Sequence, residues 1–401
     1  NGKYTQSVAL HQELLDKRRM RLGSSHPKIA TSLCALGTLK LLRSEHSQAM
    51  DMLDESLTIR RRIYPADHPA IAASLFAKGM AYARMGMFPE AAADMTHSLE
   101  MRRIKLGSTH PSFAQSASAL AVIQTQMGDP LRAWKNHNTA LEIFRSRYGV
   151  DKHRDIAQGL FNMACNAESR GSYLEAVAYH EQALQLKEEV MQLLRSETMG
   201  AADLHLGVEL SRVHVARCYA LVSRLDEAKG MLKNAVKNIT KILGNRSDHV
   251  AHSLCSLGEL CKIRGNYADA KQLYALAFNI TQELFGDDHP LIATTMLLSS
   301  ENLRVPGLYQ EAMELERSAY DVRSYLFGTE NVYTAMAIYQ RAQLLRDCGK
   351  LSKAEKQYLR AMHILITKLG DTSGLYGVVL GDFAECCRLQ GKLSLAEKHF
   401  R

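Results

Sequence analysis

Histidine–proline pairs stand at His26–Pro27, His68–Pro69 and His110–Pro111, with a fourth at His289–Pro290. Histidine offers metal ligation and acid–base transfer near neutral pH. Proline offers the start of a helix, where its missing N–H is not needed. Consecutive pairs are a whole interval apart, too distant to share a metal. The matching positions Arg154, Asp248, Val332 and Gly374 carry no proline. The pairs therefore read as structural punctuation, and the histidines are not expected to form a site. The eight cysteines (Cys34, Cys165, Cys218, Cys255, Cys261, Cys348, Cys386 and Cys387) contain no C-x-x-C. Neither a zinc site nor a disulfide framework is expected from that pattern. A phosphate-cradling glycine loop, an H-E-x-x-H and a nucleophile elbow are all missing from the sequence. The reading is of a non-enzymatic chain with no catalytic residues, no metal and no cofactor.

The elements that carry these residues follow from a repeat. Equivalent alanines fall at Ala49, Ala91, Ala133, Ala176, Ala228, Ala270, Ala312, Ala354 and Ala396, at spacings of 42, 42, 43, 52, 42, 42, 42 and 42. A glycine precedes most of them (Gly86, Gly128, Gly171, Gly265, Gly307, Gly349, Gly391). Small residues recur both after them (Ser56, Ser98, Ala140, Ala183, Ala235, Ala277) and before them (Gly37, Gly79, Ala121, Ala164, Ala216, Gly258). Each unit predicts a helix A with apolar residues at helical spacing, such as Ile71, Leu75 and Tyr82. A glycine turn follows, then a helix B that stops at the next glycine: Gly107, Gly149, Gly244, Gly286, Gly328 or Gly370. Small residues mark close helix crossings, where a larger side chain would overpack. One pair cannot bury its apolar faces alone, whereas stacked pairs can.

The chain is 401 residues long, 46% hydrophobic, with eight prolines and one tryptophan. It has no apolar run long enough to cross a bilayer and no signal-peptide pattern, so a cytoplasmic location is expected. It starts at Asn1 and stops within a helical pattern, as a piece of a larger protein would. Residues 1–150 hold 20 Lys+Arg against 12 Asp+Glu, while residues 151–401 hold 30 of each. The expected organisation is a leading helix B at 1–22, repeats one to four at 23–186 as a basic arm, and repeats five to nine at 208–401. Between the arms, 187–207 carries the ten extra residues, as a lengthened helix or looped linker that is either a hinge or a plain insertion.

The small-residue triad, the glycine turn and the aromatic after it (Tyr4, Phe88, Tyr173, Tyr267, Tyr309) resemble the tetratricopeptide repeat. The 42-residue unit with LG-x-x-HP-x-x-A junctions is similar to that of kinesin light chains and nephrocystin-3. The resemblance implies an all-α chain, a right-handed α-solenoid of antiparallel helix pairs with helix A on its concave face. It also implies a protein-binding scaffold or adaptor. Kinesin light chains hold cargo peptides with asparagines of an L-N-N-L-A segment; of the equivalent residues here only Asn162 matches.

Two surfaces are candidates for partner binding. Groove positions on helix A include Met80 and Arg217, then Glu259, Glu301, Gln343 and Glu385, with Lys262, Arg304, Arg346 and Arg388 one turn on. The spacing predicts i,i+3 acid–base pairs within each helix, either clamping a partner peptide or merely solubilising the surface. The second surface is a basic ridge at the ends of the first B helices: Arg18, Arg60 and Arg102 beside Arg19, Arg61, Arg103 and Arg145. These cations either oppose the helix dipole or dock an acidic protein surface. Nucleic acid is disfavoured, because no stacking aromatics interleave the arginines. The expected partners are other proteins, through peptide segments or acidic surfaces, with no membrane insertion. The alternative role is a component of a cytoskeletal or ciliary, microtubule-associated assembly, docked as part of a larger complex.

Overall fold

The computed structural model describes residues 2–42, 45–148, 153–194, 201–371 and 373–400. Gly149 and positions 195–200 of the expected insertion lie outside them, as does the side chain of Tyr4. Among the described residues there are nineteen α-helices and no strand. The helix count is that of a leading B helix followed by nine A–B pairs.

The chain divides into two compact units, 1–151 and 152–401. In the first, α1 (Gly2–Leu22) leads. The pairs α2 (Pro27–Leu42) with α3 (His46–Ile63), α4 (Pro69–Arg84) with α5 (Phe88–Leu106), and α6 (Pro111–Gln126) with α7 (Pro130–Tyr148) follow. The second unit opens with α8 (Arg154–Ser169), α9 (Tyr173–Leu194), α10 (Ala201–Leu221) and α11 (Leu225–Leu243). It continues through α12 (Asp248–Ile263), α13 (Tyr267–Phe285), α14 (Pro290–Arg304) and α15 (Tyr309–Phe327). It ends with α16 (Val332–Asp347), α17 (Leu351–Leu369), α18 (Gly374–Leu389) and α19 (Leu393–Phe400). The boundary coincides with the change from basic to balanced composition. The 187–207 stretch lies inside the second unit. Eight of its ten extra residues go into α9 and α10, 22 and 21 residues long against 19 for α11 and 16 for α12. One buried cluster runs through the step, from Ala176 and Val177 on α9 to Val213, Val215 and Tyr219 on α10.

The His-Pro pairs have a defined job at the helix starts. The Nδ1 of His68, His110 and His289 accepts the amide N–H two residues on, at 3.1, 3.0 and 3.2 Å, as helix N-caps do. His68 and His289 also stack on the preceding helix's last aromatic, Tyr64 and Phe285, with ring centres 4.0 and 3.9 Å apart. Asn331 and Ser247 cap α16 and α12 in the same way.

Each alanine from Ala49 to Ala354 in the periodic series is buried between its own A and B helices. The crossing is close enough that a Cβ on Gly258 would lie 2.6 Å from the buried ring of Tyr274. At seven A-to-B turns a glycine adopts positive φ, from Gly86 to Gly391, while on the α10–α11 turn Ser223 takes φ +64°. A side chain in that left-handed region is strained. Ser223→Gly is therefore expected to stabilise the second unit by about 0.5–1 kcal/mol after allowing for glycine's greater unfolded-state freedom. A urea midpoint that stays put or falls would refute this.

Candidate functional site

The A helices of the second unit present a row of ionisable side chains, and most of them are joined sideways. Lys262 on α12 meets Glu301 on α14 at 3.0 Å, and Arg304 on α14 meets Asp347 on α16 at 2.5 Å. Arg346 reaches both Asp347, at 3.2 Å, and Asp382 on α18, at 3.3 Å. Gln343 and the Tyr339 hydroxyl both donate to Asp382, each at 2.8 Å. Of the expected i,i+3 pairs only Glu385–Arg388 forms, at 2.7 Å. Glu259–Lys262 and Glu301–Arg304 do not, because the adjoining A helix offers each base a closer carboxylate. These bridges are partly desolvated, with 18% of the Lys262 side chain exposed. They stitch repeat to repeat.

Two members of the row are left over. Arg217 on α10 and Glu259 on α12 are half-buried, and neither makes a hydrogen bond or ion pair among the described residues. They line a recess of about 190 Å³ with Ser256 and Lys262, backed by the buried Leu232 and Leu260 and walled by the exposed Leu221 and Ile263. Burial pushes the Glu259 carboxyl above its ordinary value, against the opposing pull of Arg217 and Lys262. Next to the recess, burial holds His214 down to about 3, with the Arg217, His180 and His252 charges acting in the same direction. His252 is likewise lowered, by desolvation first and by Arg217 second. The result is an amphipathic pocket with one basic and one acidic side chain that feel each other's field but make no hydrogen bond or ion pair among the described residues. Met80 lies on α4 of the first unit, 38% exposed. Asn162 on α8 accepts from Gln158 at 3.0 Å.

The arginines of the expected ridge do not stand together at the surface. Arg60 and Arg102 are each only 8% exposed. Arg60 donates to the Ala70 carbonyl at 2.8 Å and to Ser74 Oγ at 2.9 Å; Arg102 repeats the pattern on Ser112 and Ser116 at 2.7 and 2.9 Å. Arg18 likewise donates to Ser32 Oγ at 2.5 Å. Ser74 and Ser116 in turn contact Ser56 and Ser98, whose hydroxyls donate to Ala30 and Ala72 carbonyls at 2.9 and 2.8 Å. Each relay ties three successive helices. Arg19 pairs with Glu55 and Arg103 with Glu100, while Arg61 and Arg145 are exposed.

Two of the cysteines from whose spacing no zinc site was expected, Cys165 and Cys218, also meet Glu168 and His180 in the second unit. Ligand atoms of Cys165, Glu168 and His180 lie within 4.8 Å of one another. Glu168 Oε1 contacts His180 Nε2 at 2.7 Å and receives the Cys218 thiol at 3.2 Å. Burial opposes the charge on Glu168, but these two hydrogen bonds and the His180 and Arg217 charges outweigh it and lower its pKa. Burial pushes the Cys165 thiol up to about 12 and raises that of Cys218 as well. Only the i,i+3 spacing of Cys165 and Glu168 was visible along the chain.

The chain matches the tetratricopeptide repeat over residues 1–62, 112–189, 208–280 and 257–324, and a second profile of the same repeat over 72–112. It is similar to a Rap protein complexed with competence and sporulation factor, at 15% identity over 92% of this chain and 99% of that one, with a TM-score of 0.59. The apo form of RapI matches at 16% identity over 74% and 99%, with a TM-score of 0.51. A putative kinesin light chain of Podosopora anserina with nearly identical TPR-like repeats matches at 21% identity over 54% and 97%, with a TM-score of 0.43. No curated protein matches. At these identities the two Rap structures show a shared fold alone. No helix among the described residues is long and apolar enough to cross a membrane.

Proposed function

The chain belongs to the tetratricopeptide-repeat family, and on that footing we propose that it is a non-catalytic scaffold whose second unit holds a peptide segment of a partner protein along its A-helix groove. The carrying observation is the recess between α10 and α12. A half-buried charge without a partner is a standing cost to the fold. Arg217 and Glu259 both bear that cost while their neighbours along the row are bridged. A peptide with an acidic and a basic or amide-bearing residue offsets it, and an apolar side chain between them covers Leu221 and Ile263. The bridged pairs beyond keep the groove floor rigid, which limits the ordering required on binding.

Docking through a basic ridge is the weaker reading, since Arg60 and Arg102 point into the relays. Selection from a displayed random-peptide library tests the groove. The enriched peptides should carry the acid and the base at a fixed spacing and bind at least tenfold more weakly to Arg217→Glu. The exchange Arg217→Glu with Glu259→Arg should select the reversed charge order. Enriched peptides that bind all three forms alike would exclude this groove as the binding face.

A further inference from the structure

We propose that the second unit binds one zinc-class divalent ion through Cys165, Glu168, His180 and Cys218. This goes beyond the peptide groove and stands without it. Cys165 and Glu168 are one turn apart on α8 and so share a face; His180 faces them from α9 and Cys218 from α10. In a tetrahedral zinc site with bonds of about 2.0–2.3 Å, ligand atoms sit roughly 3.5 Å from one another. The three atoms within 4.8 Å need only small side-chain adjustments to reach that spacing. Cys218 touches Glu168 Oε1 at 3.2 Å but stands outside the group of three, so its side chain has to turn further than theirs to become the fourth ligand.

The surroundings suit an ion. His180 is 1% exposed, and its Nδ1 has no hydrogen-bond partner. Ligation through Nε2 exchanges its 2.7 Å hydrogen bond to Glu168 for the metal bond and moves the ring proton to Nδ1, where it lacks an acceptor, a cost the metal–ligand bonds have to exceed. The Phe161 ring stands edge-on to His180 at 5.2 Å and shields it from water. Two thiolates and one carboxylate around a divalent ion leave a net negative charge. In the peptide-free chain Arg217 acts electrostatically on Cys165, Glu168 and Cys218, and Lys187 acts on Cys165 whether or not a peptide is bound, so that charge is opposed by nearby cations. Thiolate ligands favour zinc, cadmium or cobalt over magnesium or calcium. Loading releases two thiol protons, so affinity rises with pH. The ion would join α8, α9 and α10 across the one lengthened step of the array.

Titration of the reduced, metal-free chain with cobalt(II) reads the site directly. The expected result is one equivalent bound with the absorption of a tetrahedral thiolate complex, displaced by one equivalent of zinc(II). Cys165→Ser should weaken cobalt binding by about 100-fold, and Cys218→Ser should halve the thiolate-to-cobalt band. Cys348→Ser, on α16's end, should change nothing. Circular dichroism checks that each variant folds. Should Cys165→Ser fail to fold, the unmodified chain and Cys218→Ser still decide. An octahedral spectrum without the thiolate band overturns the proposal, as does a band untouched by Cys218→Ser or lost in Cys348→Ser.

Discussion

Arg102→Ala is expected to destabilise the first unit by about 3 kcal/mol, the loss typical of a charged donor removed from two buried acceptors. The guanidinium is nearly enclosed, and its two bonds end on the Ser112 carbonyl and Ser116 hydroxyl in the first turns of α6. It also lies over the Phe76 ring, 4.9 Å from the centre. Truncation strands the serine relay running to the Ala72 carbonyl and opens a gap between α5 and α6. The loss is smaller than the sum of the bonds, because burial already lowers the Arg102 pKa and that desolvation cost disappears with the side chain. Arg102→Lys should recover about half the loss, since an ammonium has no second arm in a fixed fork. Lys187, at the same position of the fourth repeat, manages the Ser211 hydroxyl alone, at 2.8 Å. Urea unfolding with far-ultraviolet dichroism measures all of this. Arg103→Ala, which removes only an exposed pair, serves as the control and should leave the midpoint unchanged. If Arg102→Ala behaves like that control, the relay contributes nothing to stability.

The repeat was legible because its constraints are local. Ala91 must be small where two helices cross, and Gly107 must reach φ +87° to end α5, so both recur at the period of the fold. An arginine at a helix end carries no such mark, since the same residue serves a solvent-facing ridge or an inward tie. What distinguishes them lies elsewhere in the unit: Ser32, Ser74 and Ser116 recur 42 residues apart, in step with Arg18, Arg60 and Arg102. The charged row on the A helices was legible along each helix but not across it. Sequence spacing places Glu259 one turn from Lys262, yet the lateral offset of α14 decides that Lys262 takes Glu301. Asp347 and Asp382 escaped notice for the same reason, each being one turn from the positions followed along the chain. The Cys165–Glu168–His180 group depends on how α8 settles on α9, and no spacing rule contains that distance.

One position of helix B carries the largest chemical variation. It is Leu53, Met95 and Leu232 in three repeats, but His137, His180, Tyr274, Glu316 and Tyr358 in others, each buried against its A helix. Such substitutions leave the period intact and place ionisable groups in the core.

Glu316 is the member with a consequence near neutral pH. Its side chain is 1% exposed; Oε2 takes the Arg341 guanidinium at 2.6 Å, while Oε1 is buried with no hydrogen-bond partner. Burial pushes its pKa up to about 7, against the Arg341 charge and with a small contribution from Asp321. The folded chain thus holds a proton that the unfolded chain releases near 4.5. Its contribution to stability is fully present below about pH 4.5 and is lost as pH rises through 7, a change on the order of 3 kcal/mol. Other carboxylates impose their own slopes, so the quantity to read is the difference from Glu316→Gln, which mimics the protonated acid and cannot ionise. Near pH 5 the two chains should unfold at similar urea concentrations. By pH 8 the glutamine chain should be the more stable by about 2–3 kcal/mol. A difference that stays constant from pH 5 to 8 would mean that Arg341 keeps Glu316 ionised throughout. The 2.6 Å contact would then be a true ion pair strong enough to hold a charge in this core.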